Sequence, residues 1–141
     1  MTLLRRLCWI PLLAVLLTGC ENSGTAYMID GKDHALILVR EQRWFWSDKI
    51  DQAVVASRLP DCQRRVAIWP GNASGPPMDI YEAGYRLWAL HQGTRWYLAS
   101  TDKCLVQDWK DPPASPPGPQ VGTFLMRDGT MTFAPADTPG R

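Results

Sequence analysis

The sequence RLWALHQGTRWYLAS, residues 86–100, contains two runs that alternate in character on either side of Gln92-Gly93. Alternation with a period of two is typical of a β-strand, and a short connection that contains glycine is typical of a hairpin. If Gln92-Gly93 is a two-residue loop, Trp88 faces Tyr97 across the hairpin. One face of the hairpin is then apolar, and the other carries aromatic side chains with an arginine.

A second hairpin is predicted at Asp128-Gly129, because this dipeptide strongly favours a tight turn between strands. Pairing across the turn places Phe124 opposite Phe133 and Met126 opposite Met131. These four side chains then lie on one face, and we expect that face to belong to the core.

The same pattern extends over most of the chain and sets the fold class. Turn signals recur about every ten residues, which is typical of an all-β sandwich or barrel. We predict a small, hairpin-rich antiparallel barrel or sandwich of about seven to nine strands in a single domain, residues 26–134. Within it, residues 43–47 are predicted as a strand and residues 48–51 as a turn. The Pro-rich segment 110–120 is predicted as a loop, since proline cannot donate to a strand ladder, and residues 135–141 as a flexible tail.

The beginning of the chain has the features of an export signal. Two arginines precede an apolar run, Leu7 to Leu17, which is shorter than the ~20 residues that a membrane-spanning helix needs. The run ends in Leu17-Thr18-Gly19-Cys20. This stretch resembles the lipobox of bacterial lipoproteins. The resemblance implies that residues 1–19 are a signal peptide that is removed, and that Cys20 is acylated and becomes the first residue of the mature chain.

The residue that follows the acylated cysteine bears on localisation. In many lipoproteins of Gram-negative bacteria an aspartate at that position implies retention in the inner membrane, and this chain has Glu21. The resemblance therefore implies delivery to the periplasmic face of the outer membrane, with residues 20–25 as a lipidated polar tether. The alternative is a plain secretory signal in which Cys20 is an ordinary thiol.

Charge and cysteine content narrow the function classes. The formal net charge is +1 and no basic run is longer than Arg64-Arg65, so the chain is not an electrostatic nucleic-acid binder. There are four cysteines, of which Cys8 lies in the leader and Cys20 takes the lipid. Cys62 and Cys104 remain as a pair in an oxidising compartment, and we predict a disulfide between them. The competing interpretation, a two-cysteine metal site, lacks neighbouring histidines.

A second resemblance concerns the mature part of the chain. Arg58–Arg65, together with Arg95-Trp96-Tyr97 and Cys104, resembles a group of short bacterial lipoproteins over most of the mature sequence. The resemblance implies no activity, and it supports the pairing of Cys62 with Cys104.

Tryptophan is unusually frequent, with seven residues in the chain. Trp44 and Trp46 are two positions apart and would project from the same face of a strand. Together with Trp88, Arg95 and Tyr97 they form a candidate binding face that could stack on a sugar ring or cover a partner protein. The alternative interpretation is that the large aromatic side chains fill a small β core.

Candidate catalytic residues are few. His34 and His91 lie in no motif, and most acidic residues fall at turns, where local hydrogen bonding explains them. None of the common nucleophile, zinc-protease, phosphate-loop or dinucleotide motifs is present. The sequence therefore predicts no catalytic residue, no cofactor and no metal site.

The leading functional hypothesis is a non-enzymatic lipoprotein of the outer membrane that binds another envelope component, in the first place a protein. One alternative is a module that binds glycan, such as peptidoglycan, or a small apolar ligand on its aromatic face. A less favoured alternative is an envelope hydrolase.

Overall fold

A computed structural model describes residues 21–137, which form ten β-strands in two antiparallel sheets. The prediction of an all-β, hairpin-rich antiparallel fold is confirmed, with ten strands rather than seven to nine. The predicted signal peptide and Cys20 lie outside the described residues. Within the described part, no helix is long and apolar enough to cross a membrane.

The first sheet consists of four strands that pair in chain order. They are β1 (Asn22–Asp30), β2 (His34–Glu41), β3 (Lys49–Arg58) and β4 (Cys62–Asn72).

The second sheet has six strands in the order β10-β9-β5-β6-β7-β8. They are β5 (Met78–Gly84), β6 (Leu87–Gln92), β7 (Arg95–Ser100), β8 (Leu105–Asp108), β9 (Gln120–Arg127) and β10 (Thr130–Pro135).

The core lies between the two sheets. Every second side chain of the central strands points inward, so the period-two pattern of the sequence supplies two apolar inner faces. The largest of the buried side chains include Leu36, Leu38, Leu90, Tyr97 and Phe124. The sheets also approach each other at both edges: β1 packs beside β10, and β8 packs beside β3 and β4.

The β9–β10 hairpin has the predicted register. Phe124 pairs with Phe133 and Met126 pairs with Met131. Asp128 and Gly129 both have positive φ, 53° and 76°, which is the conformation of a two-residue type I′ turn. The face that carries the two phenylalanines and two methionines packs against the core as expected.

The register of the β6–β7 hairpin is shifted by two residues from the predicted one, and its turn by one residue. Gln92 pairs with Arg95 and Leu90 pairs with Tyr97, so the turn is Gly93-Thr94 rather than Gln92-Gly93. Gln92 stays in the strand because its side chain is hydrogen-bonded to Gln52 of the first sheet. A shift by two residues exchanges the cross-strand partners but leaves each side chain on its own face.

Three local predictions around the first sheet differ from the structure. Residues 43–47 form a loop rather than a strand, with a turn closed by the hydrogen bond from the Ser47 amide to the Trp44 carbonyl (3.0 Å). Strand β3 begins at Lys49, where a turn was predicted. At the amino-terminal side, residues 22–25 are the beginning of β1 rather than part of a polar tether.

Cys62 and Cys104 are at disulfide-bonding distance, with their Cα atoms 6.1 Å apart, in agreement with the predicted pairing. Cys62 begins β4 and Cys104 lies just before β8, so the bond joins the two sheets. The buried Thr101 lies beside this bond. Its Oγ1 is 2.7 Å from His34 Nε2, and its backbone carbonyl accepts a hydrogen bond from Arg58 Nε at 3.0 Å. This end of the molecule is therefore connected covalently and by hydrogen bonds.

Candidate functional site

The structure separates the residues of the predicted aromatic binding face. Trp88 and Tyr97 are buried, because the face of the β6–β7 hairpin that carries them points toward the first sheet. They are core residues and cannot contribute to an exposed surface. Trp44 and Trp46 are exposed in the loop between β2 and β3, and Arg95 is exposed at the β6–β7 turn.

Arg95 covers a different tryptophan from its sequence neighbour. Its guanidinium carbon lies 3.7 Å from the ring centroid of Trp69, a cation–π contact. Because one side of the Trp69 ring is occupied in this way, that side is closed to a sugar. The cavity beside these residues, about 290 Å³ in volume, is lined by the end of β4 and by the β4–β5 and β6–β7 turns with their flanking residues.

The other face of the β6–β7 hairpin forms part of the outer surface of the six-stranded sheet. Leu87 and His91 of β6 and Trp96 and Leu98 of β7 lie on this outer face and are partly exposed. The outer face of an antiparallel sheet that covers one side of a core is usually polar. Apolar side chains on it therefore mark a surface that can bind something.

Trp96 is the centre of an aromatic cluster on this outer face. The His91 ring stacks on it with centroids 4.1 Å apart. Tyr81 lies on another side at 5.8 Å, and Trp109 meets it edge-on at 6.0 Å. The four rings come from β5, β6, β7 and the segment after β8, so the sheet pairing brings together residues that are distant in sequence.

An open apolar cavity of about 320 Å³ lies on the same outer face. Three neighbouring strands each contribute one leucine to it, namely Leu87, Leu98 and Leu105. Tyr85 stands at its edge with 77% of its surface exposed. Polar side chains complete the lining: Ser100, Asp102, Lys103 and Gln107.

The position of Tyr85 is fixed by the tight connection between β5 and β6. Arg86 has a φ of 49°, a left-handed conformation that is unfavourable for a residue with a side chain. Its carbonyl accepts a hydrogen bond from the Thr101 amide (3.0 Å), and its guanidinium donates to Asp102 (3.3 Å) and lies 4.9 Å from the Tyr85 ring centroid. These contacts hold the connection in place and present the tyrosine to solvent.

The polar part of the outer face is built around Asp79. Its carboxylate accepts hydrogen bonds from Thr123 (2.7 Å) and Gln120 (3.0 Å). Burial, and then the charge of Asp79, raise the pKa of the Tyr81 phenol above its usual value of 10.0. Tyr81 therefore remains protonated near neutral pH.

The chemistry that this surface offers is apolar contact with a polar rim. Among residues 21–137, no three His, Cys, Asp or Glu side chains are grouped so that they could hold a metal ion. The outer face combines leucine, aromatic, amide and hydroxyl groups in a shallow, open arrangement, which suits binding.

Sequence reasoning identified the alternation in β6 and β7 but missed the cavity. Tyr85 lies in the connection between β5 and β6, and Leu105 lies in β8. The residues beside them depend on the order of the strands in the sheet, which the local sequence does not reveal. One signal could have indicated the cavity: both faces of the β6–β7 hairpin carry apolar side chains. A two-layer sandwich buries only one face of each sheet, so the other apolar face must lie on the outside. Comparison of the chain with known protein families, with curated proteins and with solved structures finds no match.

Proposed function

We propose that the chain is a bacterial lipoprotein, acylated at Cys20 and anchored to the periplasmic face of the outer membrane. Its β domain is a non-enzymatic module that binds another envelope protein on the outer face of the six-stranded sheet. The observation that carries the binding proposal is the open apolar cavity formed by Leu87, Leu98 and Leu105 beside the exposed Tyr85.

The shape of this surface favours a protein as the ligand. Its volume of about 320 Å³ is near the lower limit of small-molecule sites, roughly 300–1,000 Å³. The cavity is open, and the partly exposed aromatic cluster around Trp96 lies on the same sheet face. An apolar pocket next to aromatic side chains, with a polar rim, is the usual composition of a protein–protein hot spot.

The rim supplies the polar contacts that such an interface needs. Asp102 and Lys103 bring both signs of charge to one side of the cavity, and Gln107 brings an amide to it. A partner that inserts an apolar side chain between the leucines can therefore pair its own polar groups around that side chain.

The anchor is supported by the basic start, the short apolar run and the Leu17-Thr18-Gly19-Cys20 stretch. Fractionation of cells that express wild type and Cys20→Ala tests it. We expect the wild type in the outer-membrane fraction and the variant in the soluble periplasmic fraction. Retention of Cys20→Ala in the membrane would overturn the anchor.

Photo-crosslinking in living cells tests the binding surface. A photoreactive phenylalanine analogue replaces Tyr85 or Leu105, and in a control chain it replaces Ala67, which is exposed on β4 of the first sheet. We expect discrete cross-linked protein bands from positions 85 and 105 and none from position 67. Equal or absent cross-linking at all three positions would overturn the proposed surface.

A charge variant gives an independent test of the same surface. Leu98→Asp places a carboxylate in the cavity without entering the core, and Ala67→Asp is the matched control on the first sheet. We expect Leu98→Asp to abolish recovery of the cross-linked partner and Ala67→Asp to leave it unchanged. If saccharides instead change the tryptophan fluorescence and no protein is recovered, the glycan alternative replaces the proposal.

A further inference from the structure

The loop between β2 and β3 exposes three consecutive large apolar side chains. Trp44, Phe45 and Trp46 have 54%, 67% and 68% of their surfaces exposed. Trp44 and Trp46 stack with centroids 5.1 Å apart, and Phe45 meets Trp46 edge-on at 4.8 Å. We call these three residues the aromatic loop. Keeping so much apolar surface in water is unfavourable, so the loop is a site for apolar contact.

The aromatic loop is held in a defined shape before it binds anything. The Ser47 amide donates to the Trp44 carbonyl (3.0 Å), and the Gln42 side-chain amide donates to the Ser47 carbonyl. Arg43 also pairs with Asp51 of β3 at 3.1 Å. A loop that is already ordered loses little conformational entropy on binding, which favours insertion of its side chains as a unit.

The aromatic loop lies directly beside the amino-terminal end of the described chain. The Gln42 amide donates to the Glu21 carbonyl at 2.7 Å, and the Glu21 amide donates to Gln42 Oε1 at 2.9 Å. The Glu21 carboxylate is also paired with the buried Arg40. Glu21 is therefore hydrogen-bonded to Gln42, which lies two positions before Trp44, so Glu21 is held close to the aromatic loop.

This placement matters because Cys20 is bonded to Glu21. Successive Cα atoms are about 3.8 Å apart, so acyl chains on Cys20 begin within one residue of a fixed point on the fold. The membrane surface and the aromatic loop are then at the same end of the domain. Tryptophan and phenylalanine partition favourably into the interfacial region of a bilayer, where the rings are buried and the indole N–H groups remain hydrated.

We infer that the aromatic loop inserts into the interfacial region of the phospholipid layer that holds the lipid anchor. The inference rests on the proposed lipoprotein function. It gives the domain a fixed orientation, with the β2–β3 end on the membrane. Tyr85 belongs to the other end, since its neighbour Arg86 contacts Thr101, which lies beside His34 at the start of β2. The proposed protein-binding cavity therefore points toward the periplasm.

Fluorescence quenching by brominated lipid tests the inference on the full mature, lipidated protein. The protein is reconstituted into phosphatidylethanolamine–phosphatidylglycerol vesicles with or without bromine on the acyl chains. The variant Trp44→Ser/Phe45→Ser/Trp46→Ser removes the aromatic loop, and Tyr85→Ser is the matched control at the opposite end. We expect bromine to quench wild type and Tyr85→Ser equally, and the loop variant to lose more than half of that quenching.

A measurement on the wild type alone does not depend on how the variant folds. Bromines placed near the carboxyl end of the acyl chain should quench the tryptophans more strongly than bromines placed near the methyl end, as expected for an interfacial depth. Equal quenching at the two depths, or none, would overturn the inference. If the loop tryptophans are shielded from solvent in native membranes but not in pure lipid vesicles, the loop contacts a protein instead of lipid. This result would also overturn the inference.

Mass analysis of the amino-terminal peptide distinguishes a failure of the docking inference from a failure of the lipoprotein proposal. If the peptide carries acyl groups and the tryptophans are not quenched, membrane docking by the loop is refuted while the lipoprotein proposal stands. If the peptide carries no acyl groups, the lipoprotein proposal is refuted and the docking inference falls with it.

Discussion

Glu21 pairs with Arg40 through both of its carboxylate oxygens, with Nε–Oε1 and Nη2–Oε2 distances of 2.8 and 3.4 Å. Arg40 is 1% exposed and also donates to the Asn72 carbonyl at 2.9 Å. One guanidinium thus joins the chain just before β1 to the ends of β2 and β4. A buried arginine needs these acceptors, because a buried charge without partners is strongly destabilising.

Glu21→Ala should therefore lower the free energy of unfolding by roughly 2 kcal/mol, since it leaves a buried guanidinium with one acceptor. Denaturant unfolding measures the loss. Glu41→Ala is the matched control, because Glu41 pairs with Arg65 at 3.0 Å where both side chains are about half exposed. That pair should contribute less than about 1 kcal/mol. Equal effects of the two variants would contradict this account of Arg40.

Removal of the disulfide should destabilise the fold strongly. Cys62 and Cys104 are separated by 42 positions in sequence, and the chain-entropy model assigns about 4 kcal/mol to closing a loop of this length. The double variant Cys62→Ala/Cys104→Ala should show this loss in denaturant unfolding. Wild type unfolded in the presence of a reductant should approach the same midpoint, and an unchanged midpoint would contradict the prediction.

His34 should make stability depend on pH. Burial, followed by the positive charges of Arg86 and Arg58, lowers the pKa of His34 below its usual value of 6.5. As the pH falls through 6.5, the unfolded chain takes up the proton before the folded chain does, so stability decreases in this direction. Unfolding should show a larger loss between about pH 7.5 and 5.5 in wild type than in His34→Gln. Parallel pH profiles would contradict it.

Gly122 should not tolerate a side chain. A Cβ at this position would meet the Phe133 ring and lie 2.6 Å from the Ala134 carbonyl oxygen. Gly122→Ala should cost about 1–3 kcal/mol, as overpacking of a core does. In Gly24→Ala the new Cβ would be 3.9 Å from Ile37 Cγ2, an ordinary contact, so the change should stay within about 0.5 kcal/mol. Thermal unfolding of the two variants compares them directly.

The parts of the fold that local chemistry determines could be predicted from the sequence. Asp128-Gly129 specifies a tight turn, so the pairing of Phe124 with Phe133 follows from counting outward. Gln92-Gly93 suggested a turn of the same kind, but Gln92 bonds to Gln52 in the other sheet and the turn moves by one residue. A contact between distant strands decided the register there, and the local sequence does not contain it.

The site was harder to predict because it depends on which face of a sheet is covered. Trp88 and Tyr97 were grouped with Trp44 and Trp46 by residue type, yet the first pair faces the core and the second pair faces solvent. Residues 43–47, three of which are aromatic, resemble a strand by propensity. The β1–β2 ladder ends at Gln42, and beyond it the loop is closed by hydrogen bonds from the Gln42 side chain to the Ser47 carbonyl and from the Ser47 amide to the Trp44 carbonyl.

The seam between β1 and β10 has a consequence for the timing of assembly. Thr25 donates to the Met131 carbonyl at 3.1 Å across 106 positions of sequence. In a chain that is translocated amino end first, β1 emerges early. Its neighbour in the other sheet is β10, the last strand, so this contact forms only after the whole domain has emerged. During that interval one edge of the nascent sheet is uncovered and can pair with another chain. For the proposed lipoprotein, this interval of export is the one in which a chaperone that covers the β1 edge would protect the chain most.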